Sequence, residues 1–317
     1  MPLKHVRDAR ATLGVQMVSV LVTLFSVLIP SKMWYAPSQP LTINIRGGDV
    51  SLMLTDFSGK PYEPKGEVNV SDGTSVDLRS VYQQVQTPGT YLLFATPKGK
   101  EFPVFTGTPL VINVRIDQRR DAPTEPMVIR VTPLQYALIS TDLGEMTAIF
   151  WQDVAPNTCD NFTRLASEGF YDGLSFNRVV QDFLIQAGDP KGDGTGGPGY
   201  TINPEFNSRQ FVEGVMVMAR SNDPLEEQGS MPRYEAANSA GSQFFICLNY
   251  ANTKRYEGRY SAFGKITDME TAKKIAAGKL SNQQIGAPEV PVVINRIEVR
   301  QVTPENNPYS EMLGIRK

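Results

Sequence analysis

Histidine is nearly missing from this 317-residue chain, and its single copy, His5, precedes any stretch able to build a core. A Ser–His–Asp triad, a histidine metal site and an imidazole general base are therefore excluded from the globular part. Cysteine is scarce as well. Cys247 lies within GSQFFICL, and Cys159 heads a helical run containing Phe162 and Leu165. Buried inert thiols are the leading reading, one disulfide in an oxidising compartment is the alternative, and neither spacing suits zinc. A charge imbalance is lacking too. With 31 basic and 33 acidic residues, formal net charge -2, the chain has no global basic field and nucleic acid is not an expected partner.

What the sequence does have is a long uncharged run at its start. Residues 11–29, ATLGVQMVSVLVTLFSVLI, follow Lys4, Arg7 and Arg10. At about 1.5 Å per residue a helix of this length spans roughly 28 Å, enough for a bilayer core, with the basic flank held on the cytoplasmic side. Two readings stay open for residues 1–36: a hydrophobic helix that anchors the chain in a membrane, or a signal peptide. Either puts the remainder in the cell envelope on the exported side. No small-x-small cleavage site follows the run, since Trp34 stands at minus three from Ala36.

From 37 to 116 the texture is β. LTINIR, VSLMLT, YLLFA and LVINVRI alternate or run apolar between the turn signals GG, SGKP, SDG and TPG, which predicts a small all-β, sandwich-like domain. DQRRDAPTEP, 117–126, reads as a linker, and 303–317 as a loosely held tail. Between them, 127–302 predicts a second domain. It starts with a hairpin of Tyr136–Thr141 and Met146–Trp151 and a helix from about Pro156 stopped by Gly169. Strands at 174–179, 183–187, 215–219, 243–248, 262–266 and 292–302 follow, with a second helix over 270–277. Strands outnumber helices and do not alternate with them, so a closed antiparallel barrel with two helices is expected rather than a doubly wound sheet.

GDPKGDGTGGPGY, 188–200, spells GxGxxG. A dinucleotide cradle needs a helix directly after its glycines, and here Pro198, Gly199 and Tyr200 follow instead. A calcium loop fails as well, because Lys191 and Tyr200 occupy ligand positions.

Three blocks carry a more specific signal together than any does alone: FNRVVQDFLIQAGDPKGDGTGG at 176–197, GSQFFICL at 241–248 and RYSAFGKI at 259–266. In this order they resemble the signature blocks of the cyclophilin family of peptidyl-prolyl isomerases, and the likeness covers about 127–302. It implies a cyclophilin-like barrel that turns X-Pro bonds in proline-containing polypeptides without any cofactor. By resemblance Arg178 is the catalytic guanidinium and Gln186 its orienting partner. Phe183, Leu184 and Phe245 fall on the proline-socket positions, Met218 beside them, Ala219 on the groove wall, and Gln243 on a binding glutamine. Tyr256 and Tyr260 stand at substrate-lining positions where the family commonly has Leu and His. Asn177 and Arg255 depart from the family's usual His and Trp, which bears on cyclosporin binding more than on turnover. The stretch 220–240 is longer than a barrel needs. It is read either as a lip in which Asp223, Glu226 and Glu227 select charge or as a solvated loop. The rival to an active isomerase is a weakly active proline-binding assembly module.

Overall fold

The computed structural model describes residues 27–66, 68–116 and 127–315, which form two compact units: one ends at Leu134 and regains the chain at Val302, the other comprises Gln135–Gln301. The apolar segment up to residue 26, and the 117–126 segment, lie outside the described residues. Among the described residues no helix is long and apolar enough to cross a membrane.

The first unit carries a six-stranded antiparallel sheet in the order Trp34–Tyr35, Met127–Pro133, Thr106–Ile116, Gly89–Pro97, Val50–Asp56, Asn69–Val70. A three-stranded sheet of Leu28–Pro30, Thr42–Ile45 and Ser75–Asp77 shares its core. The alternation seen in VSLMLT has the expected effect: Val50, Leu52 and Leu54 are buried while Ser51 and Met53 lie on the other face. Three expectations are corrected here. Met127–Pro133, assigned above to the second domain, pairs with Thr106–Ile116 along its whole length, so 117–126 joins two neighbouring strands of one sheet. The tail is held, with Tyr309 and Leu313 buried and the Leu313 carbonyl so close to Gly59 that a Cβ there would stand 2.4 Å from it. The last residues of the apolar run are not a helix: Leu28 is 1% exposed and pairs with Ile45.

The second unit is an eight-stranded antiparallel sheet curled into a half-barrel, in the order Arg178–Val180, Leu184–Ala187, Phe244–Cys247, Val215–Met218, Ala262–Ile266, Gly144–Phe150, Gln135–Thr141, Ile294–Gln301. The closed ring expected from the strand count is not formed. The two end strands are joined only by the Ser175–Val293 bridge and loop bonds such as Phe176 N–H to the Val292 carbonyl, 2.9 Å, because regular strand structure begins only at Arg178. The helices Pro156–Ser167 and Glu270–Ala276 bury Phe162, Leu165, Ala272 and Ile275 against the core. Ala155 gives the first helix no side-chain cap. Glu205, 48 residues from Asn157, supplies one, accepting from Asn157 N–H at 3.0 Å and Thr158 N–H at 2.7 Å. Both cysteines are free and buried, and desolvation pushes their thiols well up.

Candidate active site

The period of two on three adjoining strands builds one face of the site. Ile185, Ala187, Phe244 and Ile246 enter the core, which turns Leu184, Gln186 and Phe245 outward. The register sets Arg178 opposite Gln186 and Gln186 opposite Phe245, so these three stand in a row across the sheet. Between the first two strands the chain reverses through Asp182, whose φ of 56° is left-handed, and this places Phe183 at the rim. Phe183 is pinned from both sides: its N–H donates to Val180 and its carbonyl accepts from Leu248 N–H, 2.9 Å.

The row opens onto a cleft of about 910 Å³. Arg178, Phe183, Leu184, Gln186, Ala219, Gln243, Phe245, Tyr256 and Tyr260 all line it. Met218 does not. It is 1% exposed and packs in the core, because it shares the inward parity of Met216 while its neighbour Ala219 faces the cleft.

A directed chain of hydrogen bonds runs along the cleft floor. The Gln243 amide nitrogen donates to two carbonyls, Gly194 at 3.0 Å and Gly196 at 2.8 Å. Carbonyls cannot donate, so the nitrogen must face them and Gln243 Oε1 must face Gln186, from whose Nε2 it accepts at 2.9 Å. Gln186 Oε1 is thereby aimed at Arg178 and accepts from Nη1 at 3.3 Å. The guanidinium is held at one nitrogen while other N–H groups of its fork are left for a ligand.

The glycine loop is the base of this chain. Its N–H groups are turned inward: those of Lys191 (2.8 Å) and Gly194 donate to the buried carboxylate of Asp189. Amides committed to an internal carboxylate offer no phosphate cradle. Gly196 is required by space, since a Cβ there would stand 2.0 Å from Asp189 Oδ1.

Opposite the arginine the walls are aromatic. Phe183 stacks on Tyr256 at 5.5 Å and 22°, Tyr256 meets Tyr260 edge-on at 5.4 Å, and Tyr260 meets Phe245 at 6.0 Å. Arg255 stands 5.6 Å from the Phe183 ring centre and 4.9 Å from that of Tyr256, so the residue that replaces the family tryptophan braces the socket from outside. Burial pushes the Tyr260 hydroxyl above its ordinary value and keeps it neutral.

Sequence reasoning gave the Arg220 side chain no role. Its side chain is 2% exposed, 4.0 Å from the Tyr260 ring centre, and paired with Glu226 through both terminal guanidinium nitrogens, at 3.0 and 2.5 Å. No local signal foretells that pairing. It also removes Glu226 from any charge-selecting role, and Asp223 is likewise taken by Arg233 at 2.9 Å. Of the three acidic residues nominated for the lip, only Glu227 stands outside these two pairs.

The antiparallel half-barrel thus carries an apolar socket beside an oriented arginine. The sequence profile described as cyclophilin type peptidyl-prolyl cis-trans isomerase/CLD matches residues 136–299, about half of the chain, and the chain belongs to that family. A peptidyl-prolyl cis-trans isomerase of Synechococcus elongatus is 37% identical over 139 residues, 44% of this chain and 85% of that protein. Peptidyl-prolyl cis-trans isomerase B of Bacillus subtilis is 39% identical over 135 residues, 42% and 84% respectively, and a Helicobacter pylori relative is 35% identical over 161, 49% and 89%. The chain is a peptidyl-prolyl cis-trans isomerase of the cyclophilin type.

Proposed function

We propose that the Gln135–Gln301 unit turns X-Pro bonds by holding the prolyl ring among Phe183, Leu184, Phe245, Tyr256 and Tyr260 while Arg178 acts on the amide. Rotation must break C–N double-bond character against a barrier of about 18–20 kcal/mol. As conjugation is lost the prolyl nitrogen gains a lone pair, and the guanidinium donors stabilise that twisted state more than either planar one. Gln186 and Gln243 fix the guanidinium before substrate arrives, so little reorganisation is spent at the barrier. A million-fold acceleration corresponds to about 8 kcal/mol, divided between the arginine and the socket that restricts the substrate to near-twisted geometries. The observation that carries this reading is the one-way hydrogen-bond chain ending on Arg178 at the mouth of an apolar socket. Exchange spectroscopy of a short X-Pro peptide with the full chain tests it. Arg178→Ala is expected to lose at least a hundredfold, about 2.7 kcal/mol, and equal near-background exchange in both proteins would favour a binding module instead.

We also propose that the enzyme works on exported polypeptides from a membrane-anchored position. Support comes from the uncharged run behind Lys4, Arg7 and Arg10, and from its direct continuation into Leu28–Pro30, a strand of the first unit. Cleavage after Tyr35 would remove both Leu28 and Tyr35, and cleavage at any earlier bond beyond Leu28 would remove at least Leu28, from a core in which they are 1% and 2% exposed. Membrane fractionation with amino-terminal sequencing decides the matter, and a mature start at or beyond Ser31 would refute the anchor.

A further inference from the structure

The 220–240 stretch is a built element rather than slack chain. Its base is zipped by Ser221 N–H to Ser239 Oγ at 2.7 Å, and both residues line the catalytic cleft together with Asn222. Above the base the loop closes again where Asp223, its carboxylate wholly buried, accepts from Arg233 N–H at 2.8 Å and Nε at 2.9 Å. Within that ring Pro224–Gln228 forms a 3₁₀ turn started by Asp223 and ended by Gly229 at φ 86°, and just beyond it Tyr234–Ala237 adds a helical turn. The near-fully buried guanidinium of Arg220 bolts the loop to the socket through Glu226 and Tyr260, and Arg259 reaches over to the Glu226 and Gly229 carbonyls at 3.1 Å each. Burying a charge pair is costly, and a merely tolerated surface loop has no call for one. Yet this closed loop turns three large apolar side chains to solvent: Leu225 is 40% exposed, Met231 57% and Tyr234 76%.

We propose that this lip is an extended subsite that binds apolar side chains of unfolded polypeptide flanking the proline. The inference rests on the isomerase reading of the cleft and names the kind of substrate it prefers. The occupant follows from continuity: Ser221, Asn222 and Ser239 are at once cleft wall and lip base, so a chain threaded past the socket on that side runs onto the lip. Its charges are largely spent on internal pairs, which leaves apolar contact as the main attraction offered to that chain. Exposed apolar groups concentrated on an ordered element beside a binding cleft are the pattern of an interaction surface, whereas scattered single ones are not.

Two fluorescent peptides test this with the full chain: a four-residue X-Pro peptide, and a twelve-residue peptide with leucine and phenylalanine on both sides of the proline. Anisotropy reads affinity and exchange spectroscopy reads turnover. The triple variant Leu225→Ser, Met231→Ser, Tyr234→Ser changes only exposed positions. It is expected to weaken the long peptide about tenfold, roughly 1.4 kcal/mol, while the short peptide keeps its affinity and turnover within twofold. Unchanged affinity for the long peptide in the variant would overturn the lip whatever the turnover. So would concentration-dependent self-association that the variant abolishes while peptide affinity stays the same, since the lip would then seat a second copy. Loss of long-peptide affinity in the variant supports the lip even if the wild-type chain turns over neither peptide, an outcome that would sink the isomerase reading alone.

Discussion

Gln243→Glu is the sharpest probe of the directed chain because it keeps shape and acceptor while abolishing donation. The native amide gives two bonds to the Gly194 and Gly196 carbonyls and receives one from Gln186. A carboxylate still accepts from Gln186, but it loses both bonds to the loop and sets anionic oxygen against two carbonyl oxygens. Two neutral bonds at about 0.5–1.5 kcal/mol each amount to about 1–3 kcal/mol, and lone-pair repulsion moves the cost to the upper half of that range. If the carboxylate swings into solvent instead, Gln186 is free to flip and the Arg178 bond goes with it, a charge-assisted loss of about 1.5–3 kcal/mol. The first route is expected to lower kcat/KM about 30- to 160-fold and the second about 10- to 160-fold, at tenfold per 1.36 kcal/mol. Field alone argues the opposite way, since an added negative charge near Arg178 should steady the guanidinium. Exchange spectroscopy of a short X-Pro peptide measures the effect, with thermal unfolding as control, because the substituted group lies on the cleft face and not in the core. Turnover within threefold of wild type would refute the directional argument.

Gly196→Ala drives a Cβ into Asp189 Oδ1, so the loop must shift at that residue and Gln243 loses the Gly196 acceptor; a drop in kcat/KM of about tenfold is expected, worth one neutral hydrogen bond, and an unchanged rate would show that the loop gives way without consequence. Met218→Ala is expected to cost about 2–5 kcal/mol in denaturant unfolding while turnover per folded molecule stays the same, whereas a KM effect without destabilisation would return Met218 to the cleft. Turnover is expected to be flat from about pH 6 to about pH 9, because the chain's one histidine is His5 and burial raises Tyr260 above its ordinary value of 10; a bell-shaped profile would reveal an unsuspected proton transfer. That raised tyrosine favours the folded state below the unfolded pKa and loses its contribution as pH climbs through the folded one, so melting temperature should fall in the alkaline limb above about pH 10. Asp223, held down by Arg233, behaves in the opposite sense: its stabilisation is present above the ordinary carboxylate range and disappears only in strong acid.

Much of the isomerase unit was legible because its signals are local. Alternation in YALIST and the apolar run of FFIC predict strands that form at Gln135–Thr141 and Phe244–Cys247, and Pro156 and Gly169 bracket a helix that runs from Pro156 to Ser167. The eight-residue step from Arg178 to Gln186, folded over a tight reversal, is enough to set them opposite each other. Errors fell where one side of a strand had to be matched to a partner far away. Met218 and Ala219 are both plausible groove residues in sequence, and only the position of the core behind the sheet tells which parity faces out. Met127–Pro133 reads as strand wherever it pairs, and nothing local says that its partner is Thr106–Ile116.

By itself the sequence determined which chemistries this protein lacks and which it retains: no histidine beyond His5 to move protons, but an arginine, two glutamines and a set of aromatics in family order. Short-range physics suffices for that, since residue type limits chemistry and periodicity sets which residues share a face. Tertiary structure alone decided the polarity of the Gln243–Gln186–Arg178 chain, the capping of a helix by Glu205, and the burial of Arg220 against Glu226 and Tyr260. Each depends on the three-dimensional direction of a donor or a charge toward a partner brought near only when the sheet curls, and no spacing along the chain encodes that direction.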